Sequence, residues 1–356
     1  MAEAGVAVAG NRLAADPRVD PRIRAAFADW RIADHGNFAT REEVLAAACS
    51  PEGLRATEGR AAFFERFESE AVCPSAPFAV RELEYPSAPD GNICRIRLVA
   101  PRTGGPFPCV YYVHGGGMAR GSAYDGNYRL LARMIAAHGV AVAMVDFRNS
   151  VTPSSVAEVA PYPGGLHDCV SGVEWLARQA GRLGLSGDVA VAGESGGANL
   201  ALATAMSLRD RGAAGRVRGV GLLAPYIRGI WPADECPSSV ENNGLFLDCH
   251  TNIGVISYGV EAYEARDPLA WGIFATPADL AGLPPVHVSV NELDPYRDDG
   301  ILLYRRLLEA GVEADGQVVL GTTHAVEIFP TVCPELSRRW AATVAALASG
   351  GVSSVE

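Results

Sequence analysis

Apolar positions follow one period in the first part of the chain and another in the rest. Up to about residue 75 they recur at helical spacing, as in Pro21-Arg22-Ile23-Arg24-Ala25-Ala26-Phe27 and Arg41 to Ala48, which predicts short amphipathic helices joined by loops. From Val80 the pattern turns to alternation. Val80, Leu83 and Tyr85 precede the turn Pro89-Asp90-Gly91-Asn92, and Ile93, Ile96 and Leu98 follow it, a hairpin signal. Strand-like runs then recur at Pro108–Val113, Val140–Phe147, Val189–Ala192, Val217–Ala224, Val286–Val290 and Gln317–Leu320. Helical stretches lie between them at Tyr128–Ala137, Leu166–Ala180, Ala198–Arg209 and Ile301–Ala310.

Strand and helix in repeated alternation predict an α/β fold, a mostly parallel central sheet with helices on both faces and an antiparallel hairpin at its edge. Residues 1–75 are expected to form an N-terminal helical cap segment and residues 76–356 the main domain. The interval 227–284 contains Trp231, Pro232, Pro237 and Trp271 and no clear strand. It is expected to be an insertion over the carboxyl edge of the sheet, where ligands enter such folds.

Composition narrows the partners. The 356 residues are 49% hydrophobic, enough for a large core, and the formal net charge is −11. The arginines are scattered and no lysine occurs, so the clustered basic surface that nucleic acid requires is missing. Cys49, Cys73, Cys94, Cys109, Cys169, Cys236, Cys249 and Cys333 form no C-x-x-C pair, so no metal site is expected and most should be buried thiols. Asn11, Arg12 and Asp16 interrupt the Ala/Val stretch at the N-terminus. Neither a signal peptide nor a membrane span is therefore expected, and a cytoplasmic location is the default.

The chemistry concentrates in Gly193-Glu194-Ser195-Gly196-Gly197, between an apolar run and a helical stretch. At a sharp strand-to-helix corner a serine is held strained and exposed, and small neighbours are needed for steric reasons. A serine hydroxyl needs a neutral histidine to take its proton and a carboxylate to hold that histidine. Asp294 follows the run Val286–Val290 and His324 follows Gln317–Leu320, so both are expected at the same sheet edge as Ser195, in the order Ser, Asp, His. Asp294 could instead cap the helix after Pro295, with Asp298 and Asp299 as competitors. His35, His114, His138, His167, His250 and His287 compete with His324, but only His324 follows the last strand. Backbone N–H groups without side chains in the way suit an oxyanion, and Gly115, Gly116 and Gly117 of His114-Gly115-Gly116-Gly117, with Gly196, meet that need. A glycine run could also cradle phosphate. No Lys-Ser/Thr follows this one, and Arg120 stands where a third glycine of G-x-G-x-x-G would be.

With these motifs the chain resembles the bacterial hormone-sensitive-lipase family of α/β-hydrolase carboxylesterases, and within it the brefeldin A esterase type. The resemblance covers residues from about Val80 to the C-terminus and rests on His114–Gly117, Gly193–Gly197, Asp294-Pro295-Tyr296-Arg297-Asp298 and His324. It implies a triad of Ser195, Asp294 and His324, an oxyanion hole of Gly116, Gly117 and Gly196, and no cofactor. Three departures stand out: Tyr296 where the family commonly has Leu, Ala325 where Gly usually follows the histidine, and Val145-Asp146-Phe147-Arg148-Asn149-Ser150 for Tyr-Arg-Leu-Ala-Pro-Glu. The expected activity is hydrolysis of small to medium, fairly apolar carboxylic esters through an acyl-enzyme. The alternatives are an amidase or lactonase with the same triad, or a non-catalytic ligand-binding protein on this scaffold. Trp231, Phe246, Trp271 and Phe274 are candidate pocket walls, each equally suited to packing the insertion itself. The expected partner is a small-molecule ester, and a homodimer is compatible with the sequence.

Overall fold

The computed structural model describes residues 12–32 and 36–350. Residues 1–11, which include Asn11 of the stretch on which the leader expectation rests, and His35 lie outside the described residues. Among the described residues four helices come first: α1 (Arg12–Ala15), α2 (Pro21–Ala26), α3 (Arg41–Cys49) and α4 (Pro51–Glu65). The hairpin β1 (Phe78–Pro86) and β2 (Ile93–Pro101) follows, then β3 (Phe107–Val113), α5 (Gly126–Ala136), β4 (Ala141–Asp146), α6 (Gly164–Leu183), β5 (Leu185–Glu194), α7 (Gly196–Asp210) and β6 (Val217–Leu223). The insertion carries the short helices α8 (Ser238–Glu241), α9 (Ile253–Tyr258), α10 (Val260–Glu264) and α11 (Pro277–Leu280). The chain closes with β7 (Val286–Asn291), α12 (Arg297–Glu309), β8 (Ala314–Val319) and α13 (Pro334–Ser349).

The eight strands form one sheet in the order β1-β2-β4-β3-β5-β6-β7-β8. Strands β1, β2 and β4 pair antiparallel, and every pairing from β4 through β3 to β8 is parallel. The inner strands carry continuous apolar runs because both faces are covered. Period-two alternation sorts their side chains. Val110, Tyr112, Val142, Met144 and Ala192 meet α5 and α13 through Leu131, Ile135, Trp340 and Val344. Tyr111, Val113, Val145, Val191 and Val220 meet α6, α7 and α12 through Val173, Leu200 and Leu303. A Cβ at Gly221 would come within 3.1 Å of Val344 and 3.3 Å of Trp340, so this glycine lets α13 lie close on the sheet.

The N-terminal helices are not a separate layer. Leu13, Ile23, Phe27, Phe64 and Phe67 belong to the same buried cluster as α5 and α13. Phe27 meets Phe246 of the insertion edge-on at 5.0 Å and Phe329 at 5.1 Å, while Trp30 stacks on Phe246 at 5.1 Å. Helix α3 packs Val44 against Ala119 in the loop after β3 and against Val151.

Among the boundaries that differ from the sequence expectation are those of β8 and α12. Strand β8 ends at Val319, leaving Leu320 76% exposed, and it begins at Ala314 because Asp315 and Gly316 pair with β7 although neither is apolar. Helix α12 begins at Arg297 rather than Ile301; its first turn is polar, with Asp298 and Asp299 at the positive end of the helix dipole. All eight cysteines are free, and every one but Cys49 is buried. No helix among the described residues is long and apolar enough to cross a membrane.

Candidate active site

Ser195 stands between the end of β5 and the first turn of α7 with φ 55° and ψ −124°, a conformation that L-residues adopt only under strain. The corner is held by its backbone: Ser195 N–H donates to Leu223 O at 2.9 Å, and Ser195 O accepts from Tyr226 N–H at 3.1 Å. The glycines are required by contact. A Cβ at Gly193 or Gly197 would lie 2.6 Å or 2.1 Å from Val113 O, and one at Gly196 would lie 2.8 Å from Gly117 N. Ser195 is half-buried while its neighbours on both sides are buried.

The loop after β3 meets this corner. Gly116 (φ 110°) and Gly117 (φ 65°) occupy conformations that favour glycine, and a Cβ at Gly116 would lie 2.0 Å from Arg120 O. Among the described residues no backbone acceptor takes the N–H groups of Gly116, Gly117 or Gly196. Gly115 differs. Its N–H donates to Glu194 Oε1 at 2.5 Å and lies 3.1 Å from the Tyr128 hydroxyl oxygen, so it is not free to face an oxyanion. Its lack of a side chain serves the approach of Glu194, which a Cβ would meet at 2.5 Å. Glu194 also accepts a hydrogen bond from the Tyr128 hydroxyl, while its Oε2 is buried without a partner. Burial pushes this carboxyl up to about 7, against the hydrogen bonds from Tyr128 and Gly115 that favour its ionised form.

At the other flank, His324 Nδ1 lies 2.8 Å from Asp294 Oδ2 in a fully buried contact. With a carboxylate there, Nδ1 carries the proton and Nε2 is left as the basic nitrogen. Asp294 Oδ1 accepts from Tyr296 N–H at 3.0 Å, so the carboxylate is fixed by the turn ahead of α12, whose N-cap position falls on Tyr296 instead. The Tyr296 ring stands edge-on to the imidazole at 5.3 Å and 86°, which restrains the histidine ring. Ser195 Oγ and His324 Nε2 are not hydrogen-bonded to each other, so only the Asp–His half of the relay is closed.

The competitors are engaged elsewhere. Asp298 accepts from Ser238 N–H at 2.7 Å and from Arg297; Asp299 accepts from Arg228 and from Trp231 Nε1, each at 2.8 Å. His287 pairs with Asp315 at 2.9 Å, and His114 is buried against Phe147 with its pKa lowered by that burial. Of the four aromatic candidates, Trp231, Phe246 and Trp271 are buried packing residues, with Trp271 beneath Tyr226, and only Phe274 is half-buried.

Sequence reasoning passed over a second buried carboxyl. Both oxygens of Glu327 accept from Asn291 Nδ2, at 3.0 and 3.1 Å, and Asn291 Oδ1 accepts from Ala325 N–H at 2.8 Å. Asn291 ends β7, and Ala325 follows His324 in a left-handed conformation, φ 49° and ψ 37°. That geometry accounts for a glycine being the usual residue there. Burial raises the Glu327 carboxyl to about 7, with a further push from the Asp294 charge. An acid three residues beyond the histidine and an amide closing a buried strand were the available signals.

A single sheet with its serine corner, glycine loop and Asp–His pair at one edge defines an α/β hydrolase. The sequence profile of the alpha/beta hydrolase fold family matches residues 110–328, and the chain belongs to that family. Among solved structures it is similar to esterase Est22, at 49% identity over 96% of this chain and 100% of that one, with a TM-score of 0.94. It is also similar to brefeldin A esterase, described as a bacterial homologue of human hormone-sensitive lipase, at 32% identity over 97% and 98% of the two chains and a TM-score of 0.83. Carboxylesterase NlhH of Mycobacterium tuberculosis is 29% identical over 247 residues, 68% of this chain and 73% of that protein.

Proposed function

We propose that the protein is a serine carboxylesterase in which Ser195 is the nucleophile, His324 the general base and acid, and Asp294 the group that orients His324. The observation that carries this reading is the 2.8 Å contact between His324 Nδ1 and Asp294 Oδ2, at the sheet edge that also presents the strained Ser195. Ser195 Oγ attacks the ester carbonyl carbon as its proton passes to His324 Nε2, and the oxyanion is received by the N–H groups of Gly116, Gly117 and Gly196. Collapse expels the alcohol, which takes the proton from Nε2. Water then repeats the sequence on the acyl-enzyme and releases the acid. Attack requires Ser195 Oγ to close on Nε2, a contact that free enzymes often hold loosely and tighten around substrate.

Esters are favoured over amides and lactones by the names of the relatives: a carboxylesterase, an arylesterase of Saccharolobus solfataricus and an ethyl acetate hydrolase of Pseudomonas putida. The same reading takes residues 1–75 as a cap and the insertion at 227–284 as the opposing wall, supported by the stacking of Trp30 on Phe246. A cytoplasmic setting is supported by the eight free cysteines.

A fluorophosphonate probe is expected to label wild-type protein and not Ser195→Ala. That variant should lose at least about 10⁴-fold in kcat towards 4-nitrophenyl butyrate with its melting temperature little changed. Retained turnover in a folded Ser195→Ala protein would overturn the assignment.

A further inference from the structure

The three buried arginines among the described residues are matched by carboxylates. Arg148 pairs with Asp168 and Asp90, Arg228 with Asp299 and Glu235, and Arg133 with Glu68. Arg120 has no such partner. It is half-buried in the loop after β3, three residues beyond Gly117, and its N–H donates to Gly116 O at 3.2 Å. Its guanidinium makes no ion pair or hydrogen bond with the described residues. The charged and titratable groups it feels are Arg60, a like charge, and the Tyr226 phenol; no carboxylate is among them. Arg60 is already paired, with Asp125 at 3.1 Å. Desolvation first, and then Arg60, pull the Arg120 pKa below the ordinary arginine value, so the charge is held there without return from the free protein.

Tyr226 supplies the second half. Its N–H is bonded to Ser195 O, so the residue is anchored to the nucleophile's own backbone. Its hydroxyl packs over Gly254 of α9, where a Cβ would lie 1.9 Å from the oxygen, and has no hydrogen-bond partner among the described residues. Burial pushes the phenol up, so at neutral pH it stays protonated and able to donate. Two donor groups of one net positive charge therefore border the Ser195 corner, Arg120 on the glycine loop that meets it and Tyr226 on its backbone bond to Ser195, with no acceptor of their own among the described residues.

We propose that Arg120 and the Tyr226 hydroxyl form a carboxylate-binding subsite beside Ser195, so that the preferred esters carry a free carboxylate, as a monoester of a dicarboxylic acid does. A planar guanidinium offers two parallel N–H donors to a carboxylate, and the phenol adds a third. One positive charge matches a monoanion, whereas a phosphate dianion would remain half unneutralised. The proposal rests on the esterase reading above and deepens it by naming the substrate class.

The test compares monoethyl glutarate with its neutral amide analogue, ethyl 4-carbamoylbutanoate, by pH-stat, and reads the ratio of their kcat/KM values. Wild type should favour the anionic ester by about tenfold, and the preference should shrink in 1 M salt. Arg120→Gln should lower the ratio about 10- to 100-fold, mainly through KM, Arg120→Lys less, and Tyr226→Phe by a few-fold. A purely structural role would slow both esters alike and leave the ratio where it was, which would overturn the subsite. Calorimetric binding of monoethyl glutarate to Ser195→Ala protein separates this from failure of the esterase reading. Binding that disappears in Ser195→Ala/Arg120→Gln upholds the subsite whatever the turnover, and equal binding to both rejects it.

Discussion

The two flanks of the site reach their geometry by different means. On the β3–β5 flank, position is set by backbone: Ser195, Gly116 and Gly117 all lie at positive φ, and five glycines admit contacts that a Cβ would block. On the β7–β8 flank, position is set by side chains. Asn291, Glu327 and Asp294 lace together two loops whose only left-handed residue apart from Gly321 is Ala325. Each flank also rests on one buried carboxyl, Glu194 or Glu327, raised to about 7 by burial. A backbone-defined flank should tolerate isosteric side-chain changes and fail on added volume, and a side-chain-defined flank should do the reverse.

Asp294→Asn tests the side-chain flank hardest. It preserves volume but puts an amide where Nδ1–H needs a carboxylate, favouring the wrong tautomer, and kcat should fall by about 10⁴-fold with the fold intact. Gly116→Ala is the counterpart on the backbone flank. One methyl group would collide with Arg120 O at 2.0 Å and force an unfavourable φ, displacing the free amides of the loop. Loss of oxyanion donors should lower kcat by about 10²- to 10³-fold. Steady-state kinetics on 4-nitrophenyl butyrate measure both, and near-normal activity in Gly116→Ala would contradict the backbone account.

The same contrast explains what could be read from sequence. Backbone demands leave a mark in residue type, because positions that need positive φ or close approach are filled by glycine, and Gly193–Gly197 and His114–Gly117 were legible for that reason. Yet Gly115 was assigned to the oxyanion hole, and its N–H turns out to serve Glu194. Which way an amide points is not written in a run of glycines. The strand-helix alternation gave the sheet and its edge hairpin, since full burial of β3 to β6 imposes continuous apolar runs. Strand β8 was misplaced because an edge strand carries Asp315, Gly316 and Gln317 at no penalty. Asn291 and Glu327 stayed unread because they are 36 positions apart and neither has meaning without the other.

The buried carboxyls give a pH test. Each holds its proton in the folded state up to about pH 7, whereas the ordinary glutamate value is 4.5. Each therefore contributes stability that is fully present below pH 4.5 and is lost as pH rises through 7. Glu194→Gln removes the titration and keeps the acceptor that Gly115 and Tyr128 use. Relative to wild type, that variant should gain about 3 kcal/mol between pH 4 and pH 8, with Glu327→Gln behaving alike. Urea unfolding at several pH values measures the gain, and a wild-type-like slope in both variants would show that the carboxyls are ionised when folded.

Asn291→Ala gives the smallest effect and the sharpest separation of the flanks. The substitution takes away the donor that both Glu327 oxygens share and the acceptor of Ala325 N–H, and it leaves Thr322 Oγ1 without the Asn291 bond of 2.8 Å. Stranding these buried groups should destabilise the protein by about 1–3 kcal/mol. His324 neighbours Ala325, so its ring should lose register with Asp294, lowering kcat by about tenfold while KM changes little. The amides proposed to receive the oxyanion, those of Gly116, Gly117 and Gly196, lie on the other flank and should be undisturbed, so labelling by a fluorophosphonate should slow in proportion to kcat. Removing the stranded acid as well, in Asn291→Ala/Glu327→Ala, should return part of the lost stability because no buried carboxyl is left without its donor. It should return no activity, since the bond from Ala325 N–H to Asn291 at the end of β7 is still missing. Recovery of kcat in the double variant would mean that the side-chain lacing supports the fold alone and does not position His324.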